Sequence, residues 1–352
     1  MIQLLKEVAR GKRGARDLTY DEAVLAAEAI LTQEATQAQT GAFFIAERIK
    51  MESVDELEAF VRVSRKYARR IDGLGIGLDS AGPYDGRKTS FYATWPTAFL
   101  LAAAGLPNAL HGTASLPPKW GITLQDIVEC VGLAAADLSP ERTLRAFERS
   151  GVFFASTEQW CPPLGRLRQI REELGMRTVL NSAEKLLDLA SSPRIVFGVY
   201  HNTVFDRLAR LFIKLGYEKA LIVQGAEGSE DLHINRPTRA YLVENGEFRL
   251  QIFDPETYGI EAEPPERTWT PSDQLAVAEA VLQGEADLAY TNQVLFNGAV
   301  RLHLAGKVDS VEQGLYACKA LLDGGEAHAA YASWRTAMLE PMSAAPEAAA
   351  SR

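Results

Sequence analysis

Cysteine is scarce in this chain: its 352 residues include only Cys130, Cys161 and Cys318. These three are widely spaced and form no CxxC pair, which excludes a disulfide framework and a cysteine-based zinc site. Long apolar runs are also lacking, because no stretch reaches about 18 apolar residues, so we expect no membrane span. The N-terminus does not show the charged-then-apolar order of a signal peptide. These absences predict a folded, cytoplasmic protein with reduced thiols.

Positive charge is not in excess, since the net charge is −9. Residues 223–287 hold 14 Asp or Glu against four Arg, and the rest of the chain is nearly neutral. Basic residues nevertheless cluster in three places, either as solvated helix faces or as sites for phosphate groups. The clusters are Lys6, Arg10, Lys12, Arg13 and Arg16; Arg62, Arg65, Lys66, Arg69 and Arg70; and Arg166, Arg168, Arg171 and Arg177.

The first 72 residues are predicted to form a small helical domain. Thr19 with Glu22, and Ser53 with Glu56, match the capping-box pattern, and apolar residues spaced three and four apart follow each pair. The apolar stripes of these helices exceed what one small unit can cover. We therefore expect this domain to form a homodimer.

Residues 73–340 are predicted to form a large α/β domain with a mostly parallel central sheet, because short apolar strands alternate with helices. The expected strands cover 151–155, 194–200 and 220–224, and a hairpin with an Asn-Gly turn at Asn245 follows. Expected helices include 163–174 and 181–190. Residues 341–352, rich in Ala, Pro and Ser, are predicted to be disordered.

Residues 73–112 contain the clearest functional pattern of the chain. Glycines and hydroxyl residues from Asp79 to Ser90 precede an apolar run, and a Leu-His-Gly-Thr turn begins at Leu110. Such a loop can turn backbone N–H groups toward an anion, and Asp85 can face a metal while Lys88 faces a phosphate. An ordinary surface turn has the same composition.

The order of elements resembles that of anthranilate phosphoribosyltransferases over residues 3–325. Its most specific part is Val152-Phe153-Phe154-Ala155, Cys161-Pro162-Pro163-Leu164, Arg171, and Leu174-Gly175-Met176-Arg177-Thr178 followed by Asn181. The Gly11-Lys12-Arg13-Gly14-Ala15-Arg16 segment and Ser182-Ala183-Glu184-Lys185 are similar to the divergent TrpD-like branch. The resemblance implies a dimeric phosphoribosyltransferase fold, and the branch is associated with nucleic-acid binding.

The resemblance also implies a site. Its phosphate- and pyrophosphate-binding positions correspond to Gly82, Asp85, Gly86, Lys88, Thr89, Ser90, Thr94, His111, Gly112 and Lys119. Its acceptor-binding positions correspond to His111 and Arg171. Glu230 and Asp231 stand in the family's metal-binding segment, and adjacent carboxylates suit Mg²⁺.

Several residues depart from the family pattern. Leu110 stands where the family has a phosphate-binding Lys, Cys161 stands where it has His, and Pro83 removes a backbone donor from the pyrophosphate loop. We therefore predict a phosphoribosyltransferase-like protein that binds phosphoribosyl pyrophosphate or another phosphorylated ligand and does not use anthranilate.

The alternative is a non-catalytic homodimer that binds single-stranded nucleic acid. A track of basic residues would contact the phosphates, namely Arg87, Lys88, Lys119, Arg166, Arg168 and Arg171. Tyr84, Tyr92, Trp95 and Trp120 would stack on bases.

Overall fold

The computed structural model describes residues 1–11 and 13–341. Four helices form the N-terminal part: α1 (Ile2–Val8), α2 (Tyr20–Leu31), α3 (Gln37–Lys50) and α4 (Val54–Tyr67). The capping boxes at Thr19 and Ser53 are confirmed, because each side chain accepts a hydrogen bond from the backbone N–H of the third helical residue, and the glutamate carboxylate there accepts one from the backbone N–H of the capping residue. A third box begins α3 at Thr36. The predicted disordered tail, apart from Pro341, lies outside the described residues.

A seven-stranded sheet forms the centre of the α/β part, in the order β3-β2-β1-β4-β5-β6-β7. The strands are β1 (Leu78–Ala81), β2 (Asn108–Gly112), β3 (Val152–Ser156), β4 (Arg194–Gly198), β5 (Lys219–Val223), β6 (Thr238–Glu244) and β7 (Glu247–Phe253). Strands β1 to β5 pair in parallel. Strands β6 and β7 are antiparallel and form the expected hairpin. The mostly parallel α/β fold predicted from the sequence is confirmed.

Helices cover both faces of the sheet. They are α5 (Thr94–Ala103), α6 (Leu124–Glu129), α7 (Pro140–Ser150), α8 (Thr157–Trp160), α9 (Pro162–Arg166), α10 (Arg168–Leu174), α11 (Leu180–Ala183), α12 (Phe205–Leu215), α13 (Pro271–Gln283), α14 (Leu288–Leu304), α15 (Val311–Asp323) and α16 (Glu326–Leu339). One core packs α5, α14 and α16 around Trp95. The other core joins the opposite face of the sheet to α2, α4 and α12.

The sequence interpretation of residues 73–112 was wrong in one respect. The sequence predicts a loop and a turn at the two ends of this range, but Leu78–Ala81 and Asn108–Gly112 are the buried strands β1 and β2. The sequence shows no apolar strand pattern here, because β1 contains Asp79 and Ser80, and β2 contains Asn108 and His111. Burial on both faces of a parallel sheet removes the alternating pattern that marks an exposed strand.

Two expected helices are shorter than predicted. The helix expected over 163–174 is interrupted at Leu167, which separates α9 from α10. The helix expected over 181–190 consists of α11 and a single 3-10 turn at Glu184–Leu186. From this segment, Asn181, Ser182 and Lys185 line the cleft described below.

No helix among the described residues is long and apolar enough to cross a membrane. Cys130, Cys161 and Cys318 are free thiols, and the last two are buried.

Candidate functional site

A cleft of about 190 Å³ opens at the carboxyl ends of β1, β4 and β5. Its walls come from the loop after β1, from residues 177–185, from residues 197–201, and from α3 and α12. The sheet order reverses direction between β1 and β4, and parallel sheets bind ligands at such switch points. The fold therefore brings the predicted phosphate loop and the metal segment to one place.

The predicted phosphate loop holds a carboxylate of the chain itself. Glu227 Oε1 accepts a hydrogen bond from the Lys88 N–H at 2.8 Å, and Oε2 accepts from the N–H groups of Thr89 and Ser90, both at 3.0 Å. The Ser90 hydroxyl donates to the same oxygen at 2.8 Å. The Glu227 carboxylate therefore occupies the N–H donors that the sequence predicts for a phosphate ligand.

Glu227 is held in this position at some backbone cost. Its φ of 54° lies in the left-handed region, which a residue other than glycine rarely adopts. Burial opposes ionisation, but the donors on Thr89, Lys88 and Ser90 outweigh it, so the pKa of Glu227 lies below its ordinary value. The carboxylate is therefore charged at neutral pH.

Arg87 occupies the predicted metal pair. Its guanidinium is fully buried and donates from Nη1 to Asp231 Oδ2 at 2.6 Å and from Nη2 to Glu230 Oε2 at 3.2 Å. Arg301 donates to the other oxygen of Asp231 at 3.1 Å. Two arginines therefore balance two carboxylates. Among the described residues, no group of three or more His, Cys, Asp or Glu side chains is arranged to hold a metal ion.

Asp85 and Lys119 also pair with each other. Lys119 Nζ lies 3.2 Å from Asp85 Oδ1, and Arg177 donates to Asp85 Oδ2 at 2.5 Å. Burial lowers the pKa of Lys119 in spite of this partner. Lys119 also donates to the backbone oxygen of Glu227 at 2.8 Å, so it links the two walls of the cleft.

The two predicted acceptor-binding residues are buried. Arg171 makes a bidentate pair with Glu184, with N···O distances of 2.6 and 2.8 Å. His111, near the end of β2, has Nδ1 2.6 Å from the Tyr84 hydroxyl. Its Nε2 lies 3.2 Å from Asp79 Oδ1, but the angle allows no hydrogen bond within the described structure. Both residues therefore face neighbours in the chain rather than open space.

The remaining predicted residues make close backbone contacts or backbone hydrogen bonds. A Cβ at Gly82 would lie 2.5 Å from Glu230 Oε2, and Gly86 has a φ of 78° and would clash with Gly121. Thr94 N–H donates to Asp231 Oδ2 at 3.1 Å, at the start of α5. Gly112 ends β2 with ordinary room for a side chain.

The predicted basic track is not assembled as a continuous surface. Arg87 and Arg171 are buried, and Arg168 is engaged by Glu158 and by backbone oxygens of Ala114 and Ser115. Arg166 lies at a separate depression beside α2 and α3. Of the stacking candidates, Tyr84, Tyr92 and Trp95 are buried, whereas Trp120 is 50% exposed.

Sequence reasoning missed several cleft residues. Tyr200 and His201 follow β4 directly, Arg48 and Arg207 project from α3 and α12, and Lys185 lies at the 3-10 turn. A signal was present for Tyr200 and His201, because residues just after a parallel strand lie at the ligand edge of the sheet. Lys185 carried no such signal, since its position depends on where α11 ends.

Comparison with known proteins agrees with this geometry. Residues 79–328 match a family model described as glycosyl transferase family, a/b domain, and residues 2–68 match the helical bundle domain of that family. The curated anthranilate phosphoribosyltransferase of Persephonella marina is 30% identical over 320 residues, which cover 90% of this chain and 94% of that protein. The enzyme of Symbiobacterium thermophilum is 31% identical over 330 residues, which cover 93% of this chain and 94% of that protein. The chain belongs to the anthranilate phosphoribosyltransferase family.

Solved structures of the family share the fold. The crystal structure of the Thermus thermophilus enzyme has a TM-score of 0.82 and 24% identity, and the match covers 96% of this chain and 99% of that one. The Saccharomyces cerevisiae enzyme in complex with PRPP (phosphoribosyl pyrophosphate) and Mg has a TM-score of 0.81 and 17% identity, with 96% and 97% covered.

Proposed function

We propose that this chain binds the phosphate groups of a single-stranded nucleic acid in its cleft and does not transfer phosphoribose to anthranilate. One observation carries the proposal. The groups that the family resemblance assigns to transfer are already paired with other residues of the chain, while the unpaired Arg48 and the exposed Tyr200 line the same cleft.

The internal contacts of the site count against phosphoribosyl transfer to anthranilate. Departure of pyrophosphate leaves an oxocarbenium-like ribosyl centre, so catalysis depends on preorganised charge and position. Here the loop N–H groups bind Glu227, and Arg171 binds Glu184. PRPP and anthranilate would have to break these internal contacts before they could bind.

A magnesium ion would also have to displace an internal contact. The predicted Mg²⁺ is consistent with the Mg of the yeast complex. In this chain, however, the Arg87 guanidinium already supplies positive charge to Glu230 and Asp231. These carboxylates would hold a metal ion only after Arg87 has moved away from them.

Transfer to a different acceptor is the second candidate. Family membership favours it, as does the retention of Arg171, Glu230 and Asp231 at the family's positions. The pairing of these three residues within the chain counts against it.

Cations beside the cleft can contact a polyanion. The lining carries Arg48, Arg177 and Arg207 against the acids Glu52, Asp85 and Glu227, and Arg177 and Arg207 are paired with Asp85 and Glu52. Among the described residues, neither Arg48 nor the exposed Lys88 makes an ion pair, so both are available to phosphates. The net charge of −9 arises in the segment 223–287, from which Glu227 lines the cleft.

Two aromatic side chains are placed to stack on bases. Tyr200 lines the cleft, is 51% exposed, and has the Arg177 guanidinium 5.8 Å from its ring centre. Trp120 is equally exposed and directly follows Lys119, which reaches the cleft loop. Base stacking on such rings is tolerant of sequence, which suits binding along a single strand.

Fluorescence anisotropy with a labelled single-stranded oligonucleotide, without Mg²⁺, tests the proposal. We expect affinity to decrease steeply with salt, and we expect Lys88→Ala and Arg48→Ala each to reduce the salt slope by about 0.7, the value for one phosphate contact on a single strand. Tyr200→Ala should cost about 1–3 kcal/mol. Matched controls are Lys307→Ala and Tyr316→Ala, which change an exposed lysine and an exposed tyrosine outside the cleft.

The outcomes separate the two candidates. Salt-independent binding, or equal losses in the control variants, would contradict a nucleic-acid cleft. Thermal protection by PRPP with Mg²⁺ but no oligonucleotide binding would favour the transferase. Anthranilate consumption at an ordinary enzyme rate, about 1 per second or more, would contradict the absence of transfer.

We also propose that the protein is a homodimer formed through its N-terminal helices. Leu25 on α2 and Ile49 on α3 are 63% and 71% exposed, and Met51 follows α3 with 54% exposed. Sedimentation at micromolar concentration should show a dimer that Leu25→Glu with Ile49→Glu dissociates. Leu250→Glu, on the distant hairpin, is the control, and a monomeric wild-type protein would contradict the proposal.

A further inference from the structure

Lys185 is a buried lysine on the wall of the cleft. It lies in the 3-10 turn after α11, is only 7% exposed, and is one of the cleft's lining residues. Its neighbour Glu184 turns away to pair with Arg171, so the two consecutive side chains serve different places. None of the pairings described above uses Lys185.

The amine of Lys185 has little to hold a positive charge. Nζ donates one hydrogen bond, to the Gly198 backbone oxygen at 2.7 Å, and lies 3.7 Å from the ring centre of Phe197. No carboxylate of the described chain lies within 4.0 Å of it. An ammonium group has three donors, so this setting leaves it under-satisfied.

Charge around the amine acts in both directions. Burial lowers the pKa of Lys185 to about 7, although Glu230, Asp85 and Glu184 raise it, and Arg177 lowers it further. In a large fraction of the protein molecules, Lys185 therefore carries a neutral amine near neutral pH. Neutral lysines in desolvated pockets are nucleophiles toward carbonyl groups.

We propose that Lys185 forms an imine with the aldehyde of an open-chain pentose that carries a phosphate group. The proposal rests on the proposed function, because the cleft cations that bind nucleic-acid phosphates would also bind the phosphate of this sugar. Arg48, which makes no ion pair with the described residues, lines the same cleft as Lys185. The aldehyde can come from a free sugar phosphate or from an abasic site in a single strand.

The step is balanced without an oxidant or a metal. The Nζ lone pair attacks the aldehyde carbon, the carbonyl electron pair moves to oxygen, and a proton passes from nitrogen to that oxygen. The resulting carbinolamine loses water, and a C=N bond joins Nζ to the sugar carbon. Glu230, Asp85 and Glu184 are the carboxylates among the charged groups that act on this amine.

Reductive trapping tests the proposal on the full-length protein. The protein is incubated with ribose 5-phosphate, or with a single-stranded oligonucleotide containing one abasic site, in the presence of cyanoborohydride. Intact mass and peptide mapping then locate any adduct. We expect one adduct, on Lys185, whose yield increases as the pH rises through about 7.

Two lysine variants test whether the adduct forms on Lys185. Lys185→Met should abolish the adduct, and Lys307→Met, which removes an exposed lysine outside the cleft, should leave it unchanged. Mapping on the wild-type protein decides the question even if Lys185→Met is unstable. Adducts spread over surface lysines, or none at Lys185, would overturn the proposal.

The two substrates and the binding data distinguish the possibilities. An adduct with the abasic oligonucleotide alone assigns the nucleic-acid source, and one with ribose 5-phosphate alone assigns the free sugar. Binding of an intact oligonucleotide without any adduct would refute the role of Lys185 and leave the proposed function standing. An adduct without oligonucleotide binding would refute the proposed function instead.

Discussion

Glu227 binds the backbone N–H of Ser90 at 3.0 Å and its hydroxyl at 2.8 Å, in the loop where a phosphate ligand is expected. The chain thus supplies its own anion to this loop. We therefore expect the carboxylate to compete with an external anion for these donors.

Removal of this carboxylate should open the loop. We expect Glu227→Ala to bind pyrophosphate more tightly than the wild-type protein, by roughly ten- to a hundredfold if a charged hydrogen bond of about 1.5–3 kcal/mol no longer has to be displaced. Isothermal titration calorimetry measures this. Glu247→Ala removes an exposed acid from β7 and is the matched control. Equal affinities in wild type and Glu227→Ala would show that the loop is not an anion site.

Arg87 should determine the response to magnesium. Arg87→Met leaves Glu230 and Asp231 buried without their shared cation, and the loss of one partner of a buried pair costs about 3–5 kcal/mol. Mg²⁺ should then raise the melting temperature of the variant and have little effect on the wild-type protein. Chemical denaturation measures the loss of stability, and thermal denaturation with and without Mg²⁺ measures the shift in melting temperature.

The control for Arg87 is Arg149→Met. Arg149 pairs with Glu340 at the surface, where an ion pair contributes about 0–1 kcal/mol. Equal stabilisation of the wild-type protein and Arg87→Met by Mg²⁺ would show that the guanidinium does not replace a metal ion.

The fold was more predictable from the sequence than the site. Capping boxes and apolar spacing are local signals, so the helix starts at Thr19 and Ser53 were found from neighbouring residues alone. The pairing of Arg87 with Asp231 joins residues 144 positions apart and depends on how the strand ends meet. A motif shows which residue types are present, but it does not show that an internal partner occupies each one.

Arg171 should behave as a structural residue. Both it and Glu184 are buried, so Arg171→Ala should destabilise the protein by about 3–5 kcal/mol because it leaves a carboxylate without its partner. The double variant Arg171→Met with Glu184→Leu should recover much of this loss, since neither charge remains. Urea denaturation measures the free energies of unfolding, and Arg166→Ala is the control on the neighbouring helix.

A ligand-binding role for Arg171 predicts a different result. If its guanidinium binds an acceptor, Arg171→Ala would leave stability nearly unchanged and would abolish stabilisation by anthranilate. That outcome would contradict the structural role.

Glu47 in α3 should give the protein a pH dependence at its N-terminal helices. Its side chain is fully buried, neither carboxyl oxygen has a hydrogen-bond partner in the described structure, and Lys50 lies 3.6 Å away. Burial, with the nearby Glu56 acting in the same direction, raises the pKa of Glu47 from 4.5 to about 9. The folded protein therefore keeps this carboxyl protonated at neutral pH.

The sign of the effect follows from proton binding. Between pH 4.5 and about 9 the unfolded chain has lost this proton and the folded chain retains it, so the free energy of unfolding should decrease as pH rises. One such group contributes a slope of about 1.4 kcal/mol per pH unit. Glu47→Gln removes the titration and should flatten the profile, whereas Glu34→Gln, at an exposed position, should not. Urea denaturation across this range measures the slope, and an unchanged slope in Glu47→Gln would show that Glu47 is ionised in the folded protein.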